Sequence, residues 1–411
     1  MCMHLLYNIG IWLFGVGVKV AARHSLKARR LAEGWRHSFD NLSRLDGRKV
    51  AWFHAASLGE FEQARPVLEQ FRLQHPDYAV CLTFFSPSGY EIRKDYKGAD
   101  IVAYLPLDTP HNARRFMRDL HPQVAFFVKY EFWFNILRQL KVKQVPTYLF
   151  SAIFRPGQYF FKWYGAWYRR QLQCFSHIFV QNEESERLLR KAGIGRVSQA
   201  GDTRFDRVCE IAQKAPRREE VERFVQDKAV VMAGSSWLPD EERLCRFLKQ
   251  CGDNVRMVLA PHEIDEEHLL RIEELFAGET VRYTRLSADT RLVGKRVLIV
   301  DTMGMLSSLY RYATVAYVGG GFGKGIHNIL EALAFGKPVV FGPNYGKFQE
   351  ARDIIAIGGG IGYEEDGHLF AFLNDMLAQS DAYQAASKKC YDYIHNHSGA
   401  TNTILSAIKV S

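Results

Sequence analysis

Three short stretches place an acid or an arginine where an α/β protein does chemistry. HAASLGE (54–60) closes an apolar run and puts Glu60 at the opening of the next amphipathic segment. A carboxylate there feels the positive end of a helix, which favours its ionised form and suits it to a general base. An acid in a first helical turn is also ordinary capping chemistry, and both readings stand. VKYEFWFN (128–135) sets Glu131 just beyond an apolar run among aromatics, with the same two readings. GDTRFD (201–206) carries Arg204, whose planar fork of donors suits a phosphate or a surface salt bridge.

A fourth stretch, GGGFGKGIHNILEALAFGKP (319–338), runs from a strand into glycines, then into a helix expected from about His327 to Gly336. Glycines let backbone N–H groups approach an anion, and a helix start adds partial positive charge. Asn328 and Glu331 share a helical face, and Glu331 can accept two ribose hydroxyls. The other reading is a glycine-rich turn and a capped helix. The spacing is no dinucleotide fingerprint, because Lys324 stands where a third glycine belongs, and no GK[ST] exists for a Walker loop. No D-x-D triplet, HExxH or clustered Cys/His gives a divalent metal site support.

These residues need elements to hold them. Strand-like apolar runs occupy 50–57, 79–86, 123–130, 146–153, 176–182 and 196–204. A polar, charged stretch through 205–218 reads as a hinge. The alternation then restarts at 229–236, 254–261, 280–287, 296–302, 314–321 and 338–343. Amphipathic segments lie between, such as Thr109–Leu120, where Thr109-Pro110 reads as N-cap and first helical residue, and Glu183–Ala192, closed by Gly193. Continuous apolar strands are buried on both faces, which means parallel sheets covered by helices. The expected fold is therefore α/β: two doubly wound Rossmann-like domains facing a cleft, the default ligand site. The expected divisions are 1–36, an apolar and basic segment; 37–205, the first domain; 206–381, the second; and 382–411, a helical tail with a break near 397–399 that crosses back toward the first domain. The conspicuous residues, including Pro261-His262 and the stretch Asp301–Met305, all fall just after strands.

Composition bounds what remains. The chain has 411 residues, 47% hydrophobic and 24% charged, which excludes a disordered chain or a coiled-coil rod. Net charge is +9, and residues 1–50 supply six of those nine charges, with nine Lys/Arg against three acids. That basic flank adjoins Leu5–Ala22, an apolar run interrupted by Lys19, which reads as a membrane anchor or interfacial helix, with a buried helix as the other reading. The positive-inside rule keeps the body cytoplasmic. The aromatic stretch Gly157–Phe175 reads as a lipid-surface segment or a packed helix. Seven cysteines, none in a CxxC pair, fit a reducing compartment.

Together and in order, HAASLGE, KYEFWFN, GDTRFD and GGGF…GIHNILEALAFGKPVVFGP resemble the 3-deoxy-D-manno-octulosonic acid (Kdo) transferases of Gram-negative lipid A synthesis, over nearly the whole chain. The resemblance implies the glycosyltransferase B fold and inverting, metal-independent transfer of Kdo. The donor would be CMP-Kdo, with no cofactor. The acceptor would be a lipid A precursor of the lipid IVA type, at the cytoplasmic face of the inner membrane, with no nucleic acid partner. It makes Glu60 the proton acceptor, Glu131 a second catalytic acid and Arg204 a stabiliser of the leaving phosphate. Pro261 and His262 match a nucleotide-binding dipeptide, and Met303, Gly304 and Met305 a second nucleotide loop. Asn328, Ile329, Leu330 and Glu331 match the helix start that holds CMP. The sequence departs from the family pattern at Lys129, usually an acid; Phe134, usually proline; His262, usually arginine; and Ile329 and Ala332, usually prolines. Two competing readings are a glycosyltransferase B enzyme using a UDP-sugar on a lipid acceptor, and a non-catalytic basic protein bound to membrane or nucleic acid. The first shares only the C-terminal glycine-rich region and not HAASLGE with GDTRFD, and the second explains the charge but not why Glu60 and Glu331 both fall at strand-to-helix turns.

Overall fold

A computed structural model of the chain describes residues 2–409. It divides into two compact units, one running to Arg207 and resuming at Ser398, the other Val208–His397. The first is built on strands β1 (Lys49–Ala55), β2 (Tyr78–Phe84), β3 (Ile101–Tyr104), β4 (Pro122–Val128), β5 (Thr147–Ala152), β6 (His177–Val180) and β7 (Val197–Gln199). The second holds β8 (Ala229–Ser236), β9 (Val255–Pro261), β10 (Thr280–Arg282), β11 (Val297–Ile299), β12 (Val315–Val318), β13 (Val339–Phe341) and β14 (Gly360–Gly362). The seven strands of each unit form one sheet, ordered β3-β2-β1-β4-β5-β6-β7 and β10-β11-β9-β8-β12-β13-β14. Pairing is parallel across both central junctions. The α/β fold expected from the apolar runs is thus present twice.

Alternation along the central strands feeds a core on each face. Trp52 and Phe127 pack edge-to-face at 5.1 Å on one side of the first sheet. Their neighbours Phe53 and Phe126 stack at 4.4 Å on the other. Successive side chains point to opposite faces, so two aromatics in a row serve two layers. Thr109 caps the helix Pro110–Leu120 by accepting the Asn112 N–H, and Gly193, at φ +82°, ends the turn after Glu183–Lys191.

The N-terminal helix Cys2–Ala21 is long and apolar enough to cross a membrane. It meets the first unit along one face. Ile11 is buried there, and Gly15 lies so close to Leu107 that a Cβ would come within 2.7 Å of its side chain. Leu5, Leu6, Ile9, Trp12, Leu13, Val16 and Val20 face outward. In the 157–175 stretch, Phe160 and Leu172 are buried while Trp163 is 91% exposed. At the other end, the helix Asp381–His397 belongs to the second unit, Gly399 turns at φ +104°, and Ala400–Ala407 packs on the helix Leu58–Gln74 of the first unit. Asp206 fixes that return by accepting the N–H groups of Gly399 and Thr401 at 2.5 and 2.6 Å.

Three local expectations are corrected. The helix expected from His327 spans only Leu330–Leu333, because the preceding glycines fold the loop on itself through Gly320 and Gly325 at φ +88° and +139°. The strand expected at 280–287 stops at Arg282: Asp301 accepts the N–H and hydroxyl of Thr284 and holds a 3₁₀ turn there. The run at 196–204 is strand only to Gln199. Gly201, at φ +98°, then turns the chain into a helix at Thr203.

Candidate functional site

The strand order reverses between β1 and β4 in the first sheet and between the central strands β8 and β12 in the second. Connections leave such a point in opposite directions, so a crevice opens above the carboxyl ends of the two strands. The chemistry-bearing residues follow these strands.

In the first unit, Ser57 precedes the helix Leu58–Gln74, and its hydroxyl donates to the carboxylate of Glu60 in the first turn. Across from β1, the chain leaves β4 through Lys129, in the left-handed region at φ +58°. That turn brings the Lys129 ammonium to 3.7 Å from Glu60 Oε1. Two residues on, Glu131 Oε2 accepts from the Trp133 indole at 2.7 Å and from His54 Nε2 at 2.9 Å. His54 is fully buried, and its Nδ1 lies 2.9 Å from the Thr83 hydroxyl. Glu131 is therefore a carboxylate clamped by two ring N–H groups, whereas Glu60 is held by a hydroxyl and a flexible ammonium. The structure brings the two acids to one end of one sheet, with Lys129 between them in sequence and in contact with Glu60.

Arg204 sits in the first turn of Thr203–Lys214. Its backbone N–H and Nε both donate to Asp202, at 2.9 and 2.8 Å. Asp202 in turn accepts from Gln63 Nε2 at 2.9 Å, and Gln63 lies on the Glu60 helix. The guanidinium, about a third exposed, is thus braced against the element that carries Glu60.

In the second unit three rings meet. His262, just past Pro261 at the end of β9, stacks on Trp237 at 4.6 Å and packs against His327 at 4.5 Å, and the Trp237 indole donates to His327 Nε2 at 3.4 Å. They line a cavity of about 550 Å³ with Asp240, Phe322, Gly320 and Lys324. Burial and the adjacent His262 hold the His327 imidazole below its ordinary value, so it favours the neutral form. Asp240 Oδ1 accepts the Tyr317 hydroxyl at 2.6 Å. Its Oδ2 accepts the N–H groups of Gly320 and Trp237, both at 3.0 Å. Burial raises the Asp240 carboxyl, and these donors oppose the rise. Gly319 is required by close approach, since a Cβ there would stand 2.3 Å from the Ser235 carbonyl.

Asn328 Nδ2 donates to Glu331 Oε1 at 3.1 Å, and its Oδ1 accepts the Leu330 N–H at 3.2 Å. Ile329 and Leu330 bury their side chains, so only their backbone faces the loop. Of the other loop, Gly304 turns at φ +82°, Met305 is buried and Met303 is 77% exposed. Among the described residues, no three His, Cys, Asp or Glu side chains converge to hold a metal ion. Sequence reasoning missed Trp237, Asp240, Phe322 and His327 as pocket walls, and His54 as the partner of Glu131. The available signal for Trp237 was its place just past β8, where Ser235-Ser236-Trp237 turns into a helix.

Residues 33–207 match the family model described as 3-Deoxy-D-manno-octulosonic-acid transferase (kdotransferase). The chain is 28% identical over 376 residues to the 3-deoxy-D-manno-octulosonic acid transferase of Bordetella pertussis, covering 87% of this chain and 86% of that protein. It is 26% identical over 335 residues to the enzyme of the same name from Aquifex aeolicus, covering 80% and 86%. Among solved structures, UDP-GlcNAc 2-epimerase from Neisseria meningitidis bound to UDP-GlcNAc superposes with a TM-score of 0.61 at 15% identity, over 87% of this chain and 98% of that one. At that identity the likeness shows a shared two-sheet fold and nothing of the reaction.

Proposed function

We propose that this chain, a homologue of the Kdo transferases over most of its length with their family domain at residues 33–207, moves Kdo from CMP-Kdo onto a hydroxyl of a lipid A precursor with inversion. The observation that carries the reading is the place of Glu60 and Glu131 just past the carboxyl ends of the neighbouring strands β1 and β4, with Lys129 in contact with Glu60. Glu60 takes the proton of the acceptor hydroxyl as that oxygen bonds to the anomeric carbon of Kdo. The bond from that carbon to the CMP phosphate breaks, and its electron pair leaves on the phosphate. Arg204 offers charge to the leaving group. Glu131, held by His54 and Trp133, orients the acceptor side.

The donor belongs to the second unit. Pro261, His262, the 303–305 loop and the Asn328–Glu331 turn hold the nucleotide, with Glu331 toward the ribose. No metal or other cofactor is invoked. The outward apolar face of Cys2–Ala21 and the exposed Lys19, Arg23, Lys27, Arg29 and Arg30 support docking on an anionic membrane, at the cytoplasmic face of the inner membrane.

The test is incubation with CMP-Kdo, generated in situ, and a bis-phosphorylated, acylated glucosamine disaccharide, read by product mass. Gain of one or more Kdo masses is expected, and no gain refutes the reading. Glu60→Gln is expected to abolish transfer while CMP still raises the melting temperature. Stabilisation by UDP but not CMP would point to a UDP-sugar donor instead.

A further inference from the structure

Two polar residues of the N-terminal helix, Tyr7 and Asn8, are hydrogen-bonded by the body of the first unit. The Tyr7 hydroxyl donates to Asp108 Oδ2 at 2.6 Å, and Asn8 Oδ1 accepts from Asn135 Nδ2 at 2.8 Å. Asp108 is fully buried. Its two oxygens also accept the N–H groups of Asn135 and Ile136, each at 3.0 Å. Those are among the orphan donors of the helix Phe134–Val142, whose own N-cap residue, Trp133, makes no side-chain capping bond. Asp108 therefore caps that helix from a distant part of the chain, with Tyr7 as its further donor. The Tyr7 ring also lies 4.7 Å from that of Phe134.

Two turns along, a second line of contact reaches the same loop. Phe14 stacks on Phe85 at 6.1 Å, and Phe85 packs on Trp133 at 4.8 Å. The Trp133 indole then donates to Glu131. The loop bearing Lys129 and Glu131 is thus bounded on one side by β4 and on the other by a helix start that Tyr7, Asn8 and Phe14 help to fix.

We propose that the N-terminal helix is a working part of the acid site, with Tyr7 and Phe14 as positioning residues for Glu131. A detachable anchor would need only its outward apolar face. Burying a carboxylate and a phenol against each other is costly unless both are bonded, so this contact specifies one seating of the helix. Membrane docking through the outward face would then hold the inward face, and the loop behind it, in register.

The proposal rests on reading Glu60 and Glu131 as the acceptor-side site, and the test separates the two. Full-length protein in detergent micelles, with dispersed lipid A precursor, removes membrane partition from the rate. Tyr7→Phe keeps the packing and deletes one donor; Phe14→Ala deletes the ring contact. Each is expected to lower kcat about 10-fold, the scale of a small misplacement of a reacting group, with KM for CMP-Kdo unchanged. Phe14→Tyr is expected to restore the rate. Leu13→Ser, on the outward face, is expected to keep kcat in micelles but to lose binding to phosphatidylglycerol vesicles. Hydrogen exchange gives a readout independent of turnover: Tyr7→Phe is expected to expose the amides of Asn135 and Ile136. Unchanged kcat in both Tyr7→Phe and Phe14→Ala of an active enzyme, or unchanged exchange at 135–136, overturns the proposal. A wild type that transfers no Kdo but shows the exchange effect refutes only the reaction.

Discussion

Replacing Asp240 tests whether one carboxylate holds both walls of the pocket in the second unit. Its oxygens take three donors: the Tyr317 hydroxyl and the N–H groups of Trp237 and Gly320. In Asp240→Ala the Tyr317 hydroxyl can turn to Tyr363, whose oxygen is 2.8 Å away. The two backbone N–H groups have no such recourse. Each buried donor left unpaired costs about 1–3 kcal/mol, so about 2–6 kcal/mol is expected for the pair. Asp240→Asn separates charge from geometry. Its amide oxygen still accepts both N–H groups, and its NH₂ can face the Tyr317 oxygen while that hydroxyl donates to Tyr363. The cost should then be about 1 kcal/mol or less. Urea unfolding followed by circular dichroism reads the stability, fitted with separate transitions for the two units. Calorimetric titration with CMP reads the pocket. Asp240→Ala should weaken CMP binding about 10-fold, roughly 1.4 kcal/mol, because Trp237 and Gly320 lose their common anchor. An alanine variant that unfolds like the wild type and binds CMP equally well would refute this account of the pocket.

Two further outcomes follow from the same kind of reasoning. Burial lifts the Asp108 carboxyl to about 7 from an ordinary 3.8, against the hydrogen bonds from Tyr7, Asn135 and Ile136. The folded form therefore binds the proton more tightly than the unfolded one, and this contribution to stability is present below about pH 4 and lost as pH rises to about 7. The stability difference between wild type and Asp108→Asn should shift in favour of wild type on acidification from pH 8 to pH 5, measured by urea unfolding; a pH-independent difference would contradict it. Gly319→Ala places a Cβ 2.3 Å from the Ser235 carbonyl and should cost about 3 kcal/mol in the same assay. Gly323→Ala meets nothing nearer than 3.6 Å and should be close to neutral.

The central strands were legible because they are buried on both faces, so their apolar runs are nearly continuous. β2 and β4 show this best. Short edge strands were overread: 280–287 is rich in β-formers, yet a carboxylate far along the chain, Asp301, converts its second half into a turn. The places of Glu60 and Glu131, each just after an apolar run, were legible. Their environment was not. The Glu131–His54 contact joins residues 77 positions apart and exists only because β1 and β4 are neighbours, a pairing no local pattern announces. The glycine-rich stretch misled in one respect: its composition announced a turn and a helix, but two positive-φ glycines move the helix start to Leu330 and leave His327 in the loop, packed against His262.

The two sheets show why residues so far apart in sequence meet. β1 and β4 are adjacent, but their following helices belong to connections that run outward in opposite directions, toward β2 and toward β5. Nothing from either connection can fill the space directly above the two carboxyl ends. A side chain in the first turn after either strand therefore reaches that space, and the sheet pairing fixes its partner. Glu60 after β1 and Lys129 after β4 meet there at 3.7 Å. The same rule applied to β8 and β12 brings Trp237 against His327, with the indole N–H 3.4 Å from the imidazole nitrogen. The charge facing Glu60 is thus carried by a side chain, Lys129, whose place just after β4 is set by the sheet. Chemistry at such a point is tuned by side chain, and His262, just after β9, stands at the corresponding end of the second sheet.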